Sequence, residues 1–177
     1  MYLLKMSYSK DFECKFCGTK FHKETTLSTH ICVKKRRYID KDSAGTRLGL
    51  RAFQKFYELT TNAKSVKTLD EFINSPYYID FVKFGNHLAL LKPIYVEKYV
   101  EFVIIKQVKL KDWTKDFVYY TYVEELIKKE PAESAVERTI EEILKWCEKS
   151  GIVFKDFFQN IGPNEASHLI KTERISP

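Results

Sequence analysis

Three cysteines and a histidine crowd the start of the chain, as Cys14, Cys17, His30 and Cys32, while Cys147 stands alone far downstream. Written as a pattern, the stretch is Phe12-x-Cys14-x2-Cys17-x3-Phe21-x5-Leu27-x2-His30-x-Cys32. A secreted disulfide scaffold spreads paired cysteines across its fold. Close cysteines beside a histidine read instead as a metal site in a reducing compartment. Two cysteines separated by two residues sit on a tight knuckle from which both thiolates can face one ion, and Gly18 relaxes the backbone after the second. A unit this short buries little. Phe12, Phe21 and Leu27 form a miniature core, and the metal supplies the rest of the folding free energy.

This stretch resembles the two-Cys-two-His zinc finger. The hydrophobic positions before the first cysteine, after the second, and three before the histidine are all filled. The resemblance covers roughly 20 of the 177 residues. It implies a ββα zinc finger over residues 11–32, with a helix at about Lys23–His30 and Cys14, Cys17 and His30 as ligands of a Zn2+ ion. The fourth ligand departs from the family, which places it three to five residues after the first histidine. Here Cys32 follows His30 with one residue between. On a continuous helix, residues two apart point about 200° from each other. Cys32 therefore ligates only if the helix ends or unwinds at His30. His22 competes for the position, but it adjoins the core residue Phe21. Cys32 is preferred because a thiolate suits structural zinc.

Charge is concentrated in the same region. Residues 1–50 hold 11 Lys/Arg against 5 Asp/Glu, and the remaining 19 bases and 19 acids cancel, so the whole net charge of +6 lies at the N-terminal end. Such a patch favours polyanions through counterion release. Aligning His30 with the first zinc-binding histidine of the finger family places Lys23, Thr26 and Thr29 at positions that resemble base-reading sites. A lysine and two threonines lack the bidentate geometry that selects guanine or adenine. The expected contacts are therefore phosphates, through Lys20, Lys23, Lys34, Lys35, Arg36 and Arg37. The expected partner is DNA or RNA, bound with little sequence preference. The alternative is a protein–protein adapter whose finger docks on a polymerase, replication protein or virion component. No phosphate-binding glycine loop, nucleophile elbow or second Cys/His cluster is present, and the expectation is a non-enzymatic protein. His87, His168 and Cys147 read as packing residues, and Glu141 and Glu142 as a solvated face.

Residues 33–45 read as a basic, polar linker ending in Asp42-Ser43-Ala44-Gly45, and 46–177 as a mainly helical domain. Leu50, Phe53 and Phe56/Tyr57 keep a helical period, and Thr68 with Glu71 forms a capping box. Ser75-Pro76 reads as a helix start, with proline at the first helical position. After Pro93, Val96, Tyr99, Val100, Val103 and Ile104 form one stripe. Asp112 reads as the cap of a helix whose Trp113, Phe117, Tyr120 and Leu126/Ile127 face inward. A further helix over about Ser134–Lys149 carries Val136, Ile140, Ile143/Leu144 and Cys147 and stops at Gly151. Segments 94–105 and 117–123 also fit strands. The expected core is Phe53, Phe56, Phe72, Phe81, Val100, Ile104, Trp113, Phe117, Ile140 and Leu144. Residues 156–171 have a helix–turn–helix outline.

No run approaches 18 apolar residues, and Met1–Lys5 is too short for a signal core, so an intracellular protein is expected. Met6 is a second candidate start, and the ending Arg174-Ile175-Ser176-Pro177 reads as that of a fragment. Finger, Lys-Lys-Arg-Arg run and Tyr/Phe-rich helical body together resemble uncharacterised zinc-finger proteins of large myovirus-type tailed bacteriophages. That resemblance rests on layout and on stretches such as Ser75-Pro76-Tyr77-Tyr78 and Phe81-Val82-Lys83-Phe84-Gly85. It implies a host-cytoplasm location and no activity.

Overall fold

The computed structural model describes residues 11–61 and 65–175. Met6, Asn62, Ser176 and Pro177 lie outside the described residues. Two-residue strands β1 (Phe12–Glu13) and β2 (Lys20–Phe21) pair antiparallel, with Phe12 opposite Phe21. Helix α1 (Glu24–Thr29) follows and completes a ββα element, and among the described residues the elements after it are all helices. The fold is mainly α.

The expected linker is a helix. Residues 33–39 form α2 (Val33–Ile39), and a 3-10 turn over Asp40–Asp42 leads into α3 (Ala44–Thr61). Lysine and arginine are good helix formers, and the Cys32 side chain accepts a hydrogen bond from the Lys35 amide, capping the new helix. Tertiary contacts then hold α2 in place. Arg37 donates to the Ile73 carbonyl at 2.7 Å and to the Ser75 carbonyl at 3.4 Å, with its guanidinium 4.4 Å from the Tyr78 ring centroid.

Helix α4 (Leu69–Asn74) opens with the capping box read from the sequence. The Thr68 amide donates to Glu71 at 2.8 Å and the Glu71 amide to the Thr68 hydroxyl at 3.2 Å. Helix α5 (Tyr78–Leu91) starts two residues after Pro76, so the proline precedes the helix instead of opening it. Helices α3 and α5 cross closely because glycines face each other. A Cβ built on Gly85 falls 2.0 Å from the Gly45 carbonyl oxygen, and one built on Gly49 falls 2.6 Å from that of Phe81.

Helix α6 (Val96–Ile105) buries Tyr99, Val100, Val103 and Ile104, the stripe expected from its spacing. Both segments that also fit strands are helical. Asp112 lies in a 3-10 turn, its carboxylate 2.7 Å from Lys115, and α7 begins later (Asp116–Lys129). Val118, Tyr119, Tyr122 and Val123 are buried, while Phe117, Tyr120 and Ile127 are exposed. This helix is apolar on both faces, so periodicity alone could not choose between them. The main core gathers Ala52, Phe53, Phe72, Phe81, Phe84, Leu88, Tyr99, Val103 and Trp113, and Phe56 lies half-buried against it. Its polar tips are satisfied: Trp113 Nε1 donates to the Val108 carbonyl at 2.8 Å and Tyr122 to that of Ile94 at 2.7 Å.

Helix α8 (Ala132–Ser150) stops at Gly151, whose φ of +68° suits a residue without a Cβ. It serves a second core. Ile143 and Cys147 pack with Phe157 of α9 (Phe157–Asn160), Leu169 of α10 (Pro163–Lys171) and Ile175. Val136, Ile140 and Leu144 are exposed, contrary to expectation, because the C-terminal helices cover only part of the stripe. A single-turn α9 also leaves the helix–turn–helix outline without a full first helix. Arg138 ties the second unit together. Its side chain is 7% exposed, binds the equally covered Glu130 at 2.6 Å, and donates to the carbonyls of Glu173 and Arg174. Among the described residues, no helix is long and apolar enough to cross a membrane.

Candidate metal centre and basic surface

The β1–β2 turn forms the knuckle. Gly18, at φ +74°, donates to the Cys14 carbonyl at 2.8 Å, and Cys14 donates to that of Thr19 at 2.9 Å. The knuckle turns Cys14 and Cys17 to one side, and α1 brings up His30. Helix α1 ends at Thr29, and His30 is already extended at φ −68°, ψ 123°. The helix thus stops where Cys32 needs it to, and the extended His30-Ile31 step carries the third thiol round to the same point. Cys14, Cys17, His30 and Cys32 form a group that can hold a metal ion, their donor atoms all within 4.8 Å of one another. A tetrahedral ion with bonds of about 2.0–2.3 Å separates its donors by about 3.5–3.8 Å, so one ion can touch all four.

Local electrostatics suit that role. Hydrogen bonding by the Thr19 hydroxyl and amide, and then by His30, pulls the Cys17 thiol down to about 6. For Cys32 the Lys35 amide favours the thiolate, but burial and the neighbouring thiols of Cys17 and Cys14 outweigh it and raise the thiol's pKa. Crowding of this kind is relieved when a cation sits among the sulfurs. His22 stands apart, 88% exposed on its side chain, with Nδ1 3.2 Å from Asp11. Little else holds the unit: no residue of α1 is buried, and Cys14 is its one buried hydrophobic residue.

The expected phosphate contacts divide into two sets. Lys20, Lys23, Lys34 and Arg36 are exposed, and none of them makes an ion pair among the described residues. Lys35 and Arg37 are taken up by the fold. Lys35 donates to the His30 carbonyl at 2.9 Å, and Arg37 is anchored on the α4–α5 turn. Of the base-reading positions, Thr29 spends its hydroxyl on the Thr25 and Thr26 carbonyls, at 3.1 and 3.2 Å. Thr26 is exposed.

Sequence reasoning passed over Phe16 and Tyr38. Their rings meet at 5.3 Å and join the knuckle to α2. Lys15 lies 5.1 Å from the Phe16 centroid and Lys41 4.7 Å from that of Tyr38. Phe16 sits at an unconstrained place in the cysteine pattern, and Tyr38 falls in the stretch read as linker. Compared with protein families, curated proteins and solved structures, the chain matches none.

Proposed function

We propose that the protein is a nucleic-acid-associated, non-enzymatic factor that holds phosphate backbone on its N-terminal surface, with a structural zinc ion keeping that surface in shape. Zinc suits the donor set, since three thiolates and one imidazole match its preference for soft ligands in closed tetrahedral sites. When bound, it supplies folding free energy to a unit whose miniature core of Phe12, Phe21 and Leu27 is only half-buried.

One observation carries the reading: the excess positive charge is left unneutralised in the fold. In residues 51–177 the 19 bases are matched by 19 acids, and six of the lysines, Lys55, Lys67, Lys106, Lys115, Lys129 and Lys145, stand within 4 Å of a carboxylate. In the part of the chain where the excess of bases over acids lies, Lys20, Lys23, Lys34 and Arg36 have no such partner among the described residues. Neutralising Lys20, Lys23, Lys34 and Arg36 together tests it. Affinity for unrelated duplexes should fall about equally. The slope of log affinity against log salt should flatten by ~3–4, near 0.9 per lost contact. Arg37→Gln should leave that slope unchanged. Equal binding by the quadruple variant refutes the reading.

A second reading, the protein adapter, is favoured by Ile31 and Val33, exposed on either side of Cys32 in the chain, and by Ile39, exposed at the end of α2. Exposed aliphatics of this kind mark protein contacts. A stoichiometric protein partner that survives nuclease treatment, with no salt-sensitive nucleic-acid binding, would establish it.

A further inference from the structure

The knuckle and α2 enclose a cleft of about 300 Å³, lined by Glu13, Cys14, Lys15, Phe16, Leu27, Ser28 and Lys35. It exists because of the His30-x-Cys32 spacing. That spacing ends α1 and starts α2 within three residues, so α2 folds back onto the knuckle. A finger helix that ran on past its histidine would leave this side open. The cleft's aromatic wall is Phe16, extended by Tyr38 at 5.3 Å. Two of its lining residues are cations, Lys15 above Phe16 and Lys35 fastened to the His30 carbonyl, and next to the lining Lys41 lies above Tyr38. Glu13 is the one carboxylate among the lining residues.

Aromatic surface interleaved with lysine, in the part of the chain that holds all the net charge, suits a ligand with a flat ring between two anionic groups. An unpaired nucleobase with its flanking phosphates is such a ligand. A duplex is a poor fit, because its bases are already stacked on one another and their faces are not free. Resting on the nucleic-acid reading above, we propose that this cleft takes one unpaired base against Phe16 and Tyr38, with Lys15 and Lys41 on the adjoining phosphates. Lys15 and Lys41 are flexible covers over the rings. An entering base displaces their stems, and their ammonium groups move out to the backbone. The base is then held on the knuckle–α2 side, and the helix positions Thr26 and Thr29 stay out of the contact.

The test uses the full-length, metal-loaded chain and fluorescence anisotropy with three labelled probes of equal length: oligodeoxyuridylate, oligouridylate and a mixed-sequence duplex. The wild type should bind the single strands more tightly than the duplex. Phe16→Leu and Tyr38→Leu should each weaken single-strand binding by roughly 5- to 100-fold, as expected for losing one base–aromatic stack, and leave duplex binding unchanged. Metal content and thermal midpoint are measured on each variant. Tyr38 lies outside the ligand pattern, so it reports on the cleft even if Phe16→Leu loses metal. Equal affinity for deoxyuridylate and uridylate supports recognition of base and phosphate alone. A tenfold preference for either means that the sugar is read, which overturns a site built of rings and lysines. Retained single-strand binding in both variants, at wild-type metal content, overturns the cleft and leaves the basic-surface reading standing. A wild type that binds none of the three probes overturns both. Capture of a protein by the cleft, abolished by Tyr38→Leu, also overturns this assignment.

Discussion

Adding one methyl group at Gly85 tests the tightest joint in the body. Its Cβ would lie 2.0 Å from the Gly45 carbonyl oxygen, 2.5 Å from the Gly49 nitrogen and 2.9 Å from the Gly45 carbonyl carbon. Ordinary contacts between heavy atoms start near 3.5 Å, so the overlap is about 1.5 Å. All three atoms are backbone, and no rotamer change relieves them. α3 and α5 must therefore separate along the crossing that seats Ala52, Phe53, Phe81 and Phe84. Overpacking of this kind costs up to ~3 kcal/mol, occasionally more. Alanine is the better helix former and returns ~1 kcal/mol. The net loss is about 2 kcal/mol, or about 4–8 °C in thermal midpoint for a chain of this size. Gly45→Ala supplies the control. Its Cβ meets only the end of the exposed Asn86 side chain, which can swing away, so its stability should match or exceed wild type. Circular dichroism at 222 nm, followed through thermal and urea unfolding, measures both. A Gly85→Ala protein as stable as wild type would refute the backbone-contact reasoning.

Other consequences can be measured on the same protein. Freshly purified chain should carry one metal ion, and chelation should unfold residues 11–32 while the fluorescence of Trp113 and Trp146, which belong to the two helical cores, stays constant. Cys32→Ser should lose metal affinity and His22→Ala should keep it; the reverse result would move the fourth ligand to His22. Glu130→Gln strands Arg138 with its charge buried and should cost ~3–5 kcal/mol, read as a cooperative loss by urea titration. Burial pulls the His87 imidazole below its ordinary value, against an opposing pull from Asp116, and its Nε2 is buried with no hydrogen-bond partner among the described residues. A depressed value in the fold means that the unfolded chain takes up the proton first. The stability tied to neutral His87 is therefore present above pH 6.5 and lost as pH falls from there through the folded value. His87→Leu should flatten the stability curve over that interval, and an unchanged curve would show the imidazole to be solvated.

How much of this was legible depended on how far apart the interacting residues lie in the chain. The ligands Cys14, Cys17, His30 and Cys32 are a local set: their spacing carried the knuckle and the requirement that α1 end at His30, and the resemblance to the two-Cys-two-His finger implied the ββα element. Capping at Thr68 and Glu71, the α6 stripe and the stop at Gly151 were likewise readable, because each is a contact of a residue with its own helix. Where a segment has two apolar faces, or none, periodicity is silent and packing decides. Val118 and Tyr122, and not Phe117 and Tyr120, turn inward on α7 because the main core already stands on that side. The Lys-Lys-Arg-Arg run resembles a solvated linker until Arg37 finds the Ile73 carbonyl, 36 positions away in sequence, and becomes part of the scaffold. The division into two cores is of the same kind. Ile143 and Ile140 are equally apolar neighbours on α8, and only the C-terminal helices, arriving from about 20 residues on, determine which is covered.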